Sequence, residues 1–214
     1  MISNNLVTRV LSSIVMLVIV LLALYFGNLS FYLLILSIAV LSAFEWHEVT
    51  KGKKRLYPLG LIAIALPNAS LIYLYNLQNG IILLLWLVFS IWSIDTGAYF
   101  VGKSLGGWKI CPMISPNKTW SGLAGAILAS IAVSCLTSIF FRLFTIPHSL
   151  IIGFVIAIVA QLGDFTESAI KRICGVKDTS NIIPGHGGLL DRVDGFIFTA
   201  PLVAIYLKNF SSLL

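Results

Sequence analysis

The sequence predicts an all-α integral membrane protein, a polytopic helix bundle that crosses the bilayer about seven times. Two properties of its 214 residues indicate this class: only 10% of them are charged and 58% are hydrophobic, and the mean hydropathy is +0.99. An average soluble domain has about 25% charged residues, so this composition excludes that class. The apolar residues form long unbroken runs. Membrane β-barrels show alternating segments of about ten residues instead.

Seven apolar stretches are long enough for a span, because a hydrocarbon core about 30 Å thick takes roughly 20 apolar residues. They are predicted at 9–27, 29–46, 56–75, 80–101, 120–144, 148–166 and 195–210. The last stretch is short and contains Pro201, and up to nine shorter or broken helices are the alternative. We expect one domain, 1–214, with N-terminal spans in 1–92 and a catalytic half in 93–195 that holds most of the polar clusters.

The positions of lysine and arginine predict the orientation. With the N-terminus in the cytoplasm, twelve of the fourteen basic residues fall inside and only Arg142 and Lys208 fall outside, as the positive-inside rule requires. All eight acidic residues lie on or near the inner side as well, which that rule does not require. Glu45, Glu48 and the basic run 51–55 are interpreted as ordinary polar loop residues, the basic ones meeting anionic lipid headgroups. The other acids need a chemical reason.

Two polar stretches of the catalytic half contain candidate site residues. In "SIDTGAYFVGK", Asp95 lies in the inner third of an apolar helix, where a carboxylate is costly and usually faces a partner or a watery cavity. In "CPMISPNKTWSG", the proline and the small polar residues predict a turn that leads into a helix start. This second stretch either anchors the chain at the interface or holds a phosphate, although it lacks the spacing of a Walker loop. Its candidates are Ser115, Asn117, Lys118 and Thr119.

The densest cluster of charges lies in 164–194, which includes "KRICGVKDTSNIIPGHGGLLDRVD". If the helix that begins near 148 continues past the membrane surface, Asp164, Ser168 and Lys171 recur at helical spacing and line one face. The sequence "PGHGG" around His186 cannot be regular helix, and its glycines allow the backbone to approach a ligand closely. Asp191 and its neighbour three residues on, Asp194, share a face if their segment is helical.

Carboxylate clusters without His or Cys partners suit a hard cation such as Mg²⁺, which binds oxygen and usually bridges to substrate phosphates. Lysines and arginines mixed with such acids are typical of phosphoryl or nucleotidyl transfer, where catalysis depends on positioning and on neutralising charge. Structural ion pairing is the alternative, with Lys171 and Arg192 balancing Asp164 and Asp191. A structural pair would not need a glycine-rich turn beside it, so the functional interpretation is favoured.

The segment 168–194 resembles the signature of the CDP-diacylglycerol synthases, also called phosphatidate cytidylyltransferases. The stretches around Asp95 and Ser115 resemble family stretches in the same order, so the likeness covers most of 93–195. Two departures are Ser121, where relatives often have Glu, and Gly195, where Ser is common. The defining positions present in this chain are Ser168, Lys171, Arg172, Lys177, Asp178, Pro184, His186, Gly187, Gly188, Asp191, Arg192 and Asp194.

The resemblance implies that CTP and phosphatidate give CDP-diacylglycerol and pyrophosphate, with in-line attack at the α-phosphorus. It also implies that Asp164 and Asp191 hold a two-ion metal centre, with Mg²⁺ as one ion and the second unidentified. Catalytic roles are expected for Lys171, Arg172, Asp194 and His186, where His186 either donates a hydrogen bond or only fixes its loop. Substrate contacts are expected from Asp95, Ser115, Asn117, Lys118, Thr119, Ser168, Lys177, Asp178, Gly187, Gly188 and Arg192.

The expected partners are CTP, phosphatidate and membrane lipids, with no nucleic acid, and the resemblance alone implies a homodimer. The site is expected on the cytoplasmic face of a multi-pass protein of the inner cell membrane. Two other functions remain open. A CTP-dependent lipid kinase would use similar metal chemistry but transfer the γ-phosphoryl group. A transporter also uses buried acids and broken helices, although these charges crowd one face instead of the midplane.

Overall fold

The computed structural model describes residues 2–209, with side chains from residue 7 onward, and it confirms the all-α membrane bundle. Within that range the chain forms eight α-helices and a two-stranded antiparallel sheet. The helices are α1 (Ile2–Tyr25), α2 (Asn28–Val49), α3 (Tyr57–Tyr75), α4 (Gly80–Leu105), α5 (Trp120–Phe141), α6 (Ile146–Cys174), α7 (Leu190–Val193) and α8 (Phe196–Asn209). The strands are β1 (Lys109–Cys111) and β2 (Ser115–Thr119).

Six of the seven predicted spans are helices long and apolar enough to cross a membrane, α1 to α6. The seventh, predicted at 195–210, is the shorter helix α8 of 14 residues, and residue 210 lies outside the described range. Fourteen residues rise only about 21 Å, less than a hydrocarbon core of about 30 Å. Helix α8 packs against α3 and α6, and its side chains Ala200, Val203 and Leu207 are buried.

Helices α4, α5 and α6 form the centre of the bundle. Small residues allow α4 and α5 to approach closely, because a Cβ atom on Gly97 would lie 2.6 Å from the carbonyl oxygen of Gly125. Such small-residue contacts are how helices pack in lipid, where apolar burial alone gives little association. Polar bonds add to the packing: Trp86 Nε1 donates to Ser134 Oγ at 3.1 Å in the core. The close contact fixes the inner half of α4, which carries Asp95.

The turn predicted before α5 is a β-hairpin, with Lys109 paired to Thr119 and Cys111 to Ser115. The hairpin adds a small sheet that the apolar pattern did not predict, since its five-residue strand β2 is polar. The helix start that follows was predicted correctly. Thr119 is the N-cap of α5, and its side chain accepts a hydrogen bond from Gly122 N at 3.1 Å, the usual role of a threonine there.

Helix α6 is longer than its predicted span of 148–166. It runs for 29 residues, about 43 Å at 1.5 Å per residue, and ends at Gly175, which adopts a left-handed conformation with φ of +76°. Its last turns therefore extend beyond the length that a bilayer needs. The predicted shared face of Asp164, Ser168 and Lys171 depended on this extension. Helices α2, α4 and α6 all end on the same side of the bundle. This side is called the site end.

Candidate active site

Lys171 on α6 is the centre of the polar cluster at the site end. Its Nζ atom lies 2.6 Å from Asp191 Oδ1 and 3.1 Å from Glu167 Oε1. All three side chains are at most 12% exposed. One ammonium therefore bridges a carboxylate one helical turn away and another that lies 20 residues further along the chain. Lys171 therefore pairs with Asp191, and not with Asp164 as the ion-pairing alternative supposed.

Asp191 is held by three further donors from the loop that precedes it. Its Oδ2 atom accepts from Thr179 N at 2.9 Å, Thr179 Oγ1 at 3.0 Å and Gly188 N at 2.9 Å. Burial alone would raise the pKa of Asp191, but the hydrogen bonds from Lys171, Thr179 N and Gly188 N outweigh burial and hold this pKa below its usual value. Asp191 is therefore an anion at neutral pH, with both oxygens engaged.

Asp164 lies on the same face of α6 and receives two different partners. Its Oδ1 atom accepts from Ser168 Oγ at 3.2 Å, which confirms the predicted helical face. Its Oδ2 atom forms an ion pair with Lys118 on strand β2. Lys118 also lies 4.3 Å from the centre of the Phe165 ring, a cation–π distance. The hairpin therefore brings Lys118 to the catalytic face, whereas the neighbouring Asn117 is exposed and Ser115 is half-buried.

Four acidic side chains share the space beside Lys118 and Lys171. Asp95 is exposed and within electrostatic range of Asp194 and Asp164, and the carboxyl groups of Glu167 and Asp194 are in contact. Burial and then the charge of Asp164 raise the pKa of Asp194 to about 6. Burial is the larger cause of this raised pKa. The four acidic side chains outnumber the two lysines, so this space holds a surplus of acidic groups that a bound cation would offset.

The donors in this space fit a magnesium ion in type but only partly in arrangement. They are carboxylate oxygens, which Mg²⁺ prefers. Among residues 2–209, no three Asp, Glu, His or Cys side chains converge as ligands of one ion. Asp191 Oδ2 accepts three hydrogen bonds and Oδ1 accepts one from Lys171, so a metal at Asp191 would bind through Oδ1, beside the positive charge of Lys171. Asp164, the other predicted ligand, lies among the surplus acidic side chains beside the two lysines, and so does Asp194.

The glycine turn has the irregular backbone that its sequence predicted. Gly185 and Gly187 have φ of +76° and +83°, a backbone region that residues other than glycine rarely adopt. Ile183 N donates to Gly187 O at 2.9 Å and closes the turn. Gly188 has a different requirement, since a Cβ atom there would lie 2.7 Å from Glu45 Oε2 and would also overlap Thr179 Oγ1. Its missing side chain makes room for these two oxygens.

His186 at the tip of the turn contacts α1. Its Nδ1 atom lies 2.8 Å from Ser12 Oγ and its Nε2 atom lies 3.2 Å from Ser13 Oγ. Burial, followed by the positive charges of Arg192 and Arg9, lowers the pKa of His186, so the ring is neutral at pH 7. Of the two roles predicted for this residue, these contacts favour fixing the loop.

The other predicted cationic and anionic site residues form an exposed rim. Arg172, Lys177, Asp178 and Arg192 are all exposed, and Arg172 Nη1 donates to Val176 O at 3.2 Å. Their charges are open to water.

The interpretation of Glu45 as an ordinary loop residue was wrong. Glu45 is 1% exposed, and its two oxygens accept three hydrogen bonds from the loop between α6 and α7 and one from Leu190 N, the first residue of α7. Glu167 was not among the expected site residues either, although it pairs with Lys171. A signal was present for both: Glu45 falls at the inner end of a predicted span, where a carboxylate usually has a partner, and Glu167 lies four residues before Lys171, the spacing of a helical ion pair.

A bundle of apolar helices that ends in buried lysine–carboxylate pairs, beside a glycine turn and an exposed cationic rim, defines a membrane enzyme acting on phosphorylated substrates. The model of the cytidylyltransferase family matches residues 56–210. The chain belongs to this family.

The relatives bear a more specific name. A phosphatidate cytidylyltransferase of Rickettsia bellii (strain RML369-C) is 39% identical over 210 residues, which cover 94% of this chain and 90% of the relative. The phosphatidate cytidylyltransferase of Bacillus subtilis (strain 168) is 40% identical over 181 residues, 81% of this chain and 67% of the relative. That of Rickettsia felis is 35% identical over 208 residues, 94% of this chain and 91% of the relative.

Proposed function

We propose that the chain is a phosphatidate cytidylyltransferase, which makes CDP-diacylglycerol and pyrophosphate from CTP and phosphatidate. The observation that carries the proposal is the position of Lys171, which is paired with Asp191 and Glu167 at the end of an apolar bundle. Its relatives with this name cover most of the chain. A water-borne nucleotide and a lipid phosphate can meet only at such a boundary.

In the proposed reaction, an oxygen of the phosphatidate phosphate attacks the α-phosphorus of CTP. A bond forms between that oxygen and the α-phosphorus, the bond from the α-phosphorus to the bridging oxygen breaks, and pyrophosphate leaves with the electron pair. The attacking phosphate monoester is already largely ionised near neutral pH, so a general base is not required. The phosphates of CTP would be neutralised by the exposed rim residues Arg172, Lys177 and Arg192. Lys171 would neutralise the phosphate charge that lies nearest the carboxylates.

We also propose Mg²⁺ as cofactor, held by Asp164 and neighbouring carboxylates, with a second ion of unknown identity. The surplus of acidic side chains around Asp95, Asp164 and Asp194 supports this proposal. When bound, Mg²⁺ would stabilise charge on the phosphate oxygens. Asp191 remains a predicted ligand, and in that role its Oδ1 atom would serve both the ion and Lys171.

The location and assembly follow as proposals from the charges and the resemblance. Twelve of fourteen basic residues fall on the side that contains the site, which supports a cytoplasmic active site in the inner cell membrane. The exposed basic run 51–55 supports contact with anionic lipids. A homodimer is proposed from the family resemblance alone.

Labelled nucleotide tests the proposed reaction directly. Purified protein in mixed micelles is incubated with phosphatidate, Mg²⁺ and CTP labelled at either the α- or the γ-phosphate. We expect the α-label in the lipid product and the γ-label in pyrophosphate. The γ-label in the lipid, with release of CDP, would identify a lipid kinase, and no turnover of either label would favour a transporter.

A further inference from the structure

Glu45 lies at the inner end of α2 and is the anchor of the loop between α6 and α7. Its Oε1 atom accepts from Ser180 Oγ at 2.6 Å and Leu189 N at 2.8 Å. Its Oε2 atom accepts from Thr179 Oγ1 at 3.1 Å and Leu190 N at 2.8 Å. The four donors come from both ends of the loop, so a single carboxylate ties these two ends together.

The same loop donates to Asp191, and Thr179 belongs to both sets of contacts. Thr179 Oγ1 lies 3.1 Å from Glu45 Oε2 and 3.0 Å from Asp191 Oδ2. Asp191 in turn lies 2.6 Å from Lys171. A continuous series of polar contacts therefore runs from α2 through the loop to the lysine of α6. A buried network of this kind fixes the geometry of its members when every donor has an acceptor.

We propose that Glu45 is a positioning residue for cytidylyl transfer, which holds the loop 175–189 so that Thr179, Asp191 and Lys171 keep their places in the site. The inference rests on the proposed function. Glu45 lies outside the residues 56–210 that match the family model, and it contacts the loop instead of the expected substrate groups.

Packing around Glu45 supports this role. The next residue, Trp46, is 5% exposed and packs in a small cluster with Ile64 and Leu190. The first residue of α7 is thus held by Glu45 through its N–H and by Trp46 through its side chain. Gly188 leaves the space that the Glu45 carboxylate occupies. Helix α2, the loop and α7 therefore fit together around one buried charge.

The Glu45→Gln variant tests the proposal because glutamine has almost the same shape but only one acceptor oxygen. Whichever way the amide is oriented, either Leu189 N or Leu190 N then faces an amide NH₂ and loses its acceptor. We expect kcat/KM for CTP to fall by about 10- to 100-fold, the range for losing hydrogen bonds to a charged group. KM for phosphatidate should change by less than about 2-fold, because the altered loop carries Lys177, which is proposed to bind the phosphates of CTP.

The matched control is Glu48→Gln on the same helix. Glu48 is exposed, and its Oε2 atom lies 3.9 Å from Lys51 Nζ on the surface, so kinetics like those of the wild type are expected. Hydrogen exchange at the Leu189 and Leu190 amides provides a readout independent of activity. In Glu45→Gln these amides should exchange faster, while the thermal midpoint in detergent stays within a few degrees of the wild type.

The outcomes separate positioning from plain stability. Unchanged kcat/KM for CTP in Glu45→Gln would overturn the proposal, and so would equal losses for both substrates with a lower thermal midpoint. If this variant does not fold, Ser180→Ala removes one donor to Glu45, and a rise in KM for CTP of about 3-fold is then expected; unchanged kinetics would overturn the proposal. Wild-type protein without transferase activity would overturn the proposed function instead, and the amide exchange would still decide whether Glu45 holds the loop.

Discussion

Lys171 Nζ lies 2.6 Å from Asp191 Oδ1, although the two residues are 20 positions apart and belong to different helices. The bond joins the end of α6 to α7 across the loop that contains the glycine turn. A buried pair of this kind loses much more when one partner is removed than it contributes as a pair, because the remaining charge is left unpaired.

Lys171→Met should therefore lower both activity and stability. Loss of the charge leaves Asp191 and Glu167 without their ammonium, and we expect a fall in rate of at least ~10²-fold and a loss of about 3 kcal/mol of stability. The rate of label transfer from α-labelled CTP and the thermal midpoint in detergent measure the two effects. Lys51→Met, at a side chain 71% exposed, is the control. A Lys171 variant with normal turnover would contradict the proposed charge neutralisation.

Asp191→Asn should leave the protein inserted and folded but reduce the rate by at least ~10²-fold, because a neutral side chain no longer holds Lys171. The Mg²⁺ concentration needed for half-maximal activity distinguishes the two roles considered for Asp191. If Asp191 is a metal ligand, its replacement should raise this concentration. If it only positions Lys171, its replacement should lower kcat and leave the Mg²⁺ requirement unchanged. Near-normal activity would count against both roles.

Asp164→Asn should raise the Mg²⁺ requirement, because this carboxylate lies in the surplus of negative charge proposed to hold the ion. Chelation of the wild-type protein should abolish turnover, and added Mg²⁺ should restore it. Glu48→Gln, which alters an exposed carboxylate paired with Lys51, should keep the wild-type requirement. Wild-type activity in the presence of excess chelator would refute the cofactor proposal.

Gly188→Ala should disrupt the loop through steric overlap alone, since Gly188 does not have a positive φ. The new methyl group would lie 2.7 Å from Glu45 Oε2 and overlap Thr179 Oγ1, and overpacking of this kind costs about 1–3 kcal/mol. Activity and thermal midpoint should both fall. For comparison, Gly52→Ala introduces a methyl group with nothing within 4 Å but at φ of +83°; a variant there that is as impaired as Gly188→Ala would weaken the steric explanation.

Gly97→Leu should separate α4 from α5. The Cβ atom alone would lie 2.6 Å from Gly125 O and 2.8 Å from Ala129 Cβ. The two helices must therefore move apart, at a cost of at least about 1–3 kcal/mol. The thermal midpoint should drop, and activity should fall with it because Asp95 shifts. Leu105→Ala, at a side chain 75% exposed on the same helix, should change neither; an unaltered midpoint in Gly97→Leu would rule out tight α4–α5 packing.

The amino-acid sequence by itself determined the membrane class, six of the seven spans and the helical face of α6. These features depend on local properties, namely the length of apolar runs and the repeat of 3.6 residues per turn. The same local pattern placed Asp164 and Ser168 together, and they form a hydrogen bond of 3.2 Å. The irregular turn around His186 followed from the conformational freedom of glycine.

Only the tertiary structure decided which charges meet. The pairing of Lys118 with Asp164 depends on a hairpin of polar residues whose strands carry no apolar alternation. The burial of Glu45 depends on a loop that begins 130 residues later in the chain, and nothing near Glu45 in the sequence encodes that contact. Long-range contacts of this kind arise from how the helices pack. Glu45, interpreted from the sequence as an ordinary loop residue, is therefore the buried anchor of the loop.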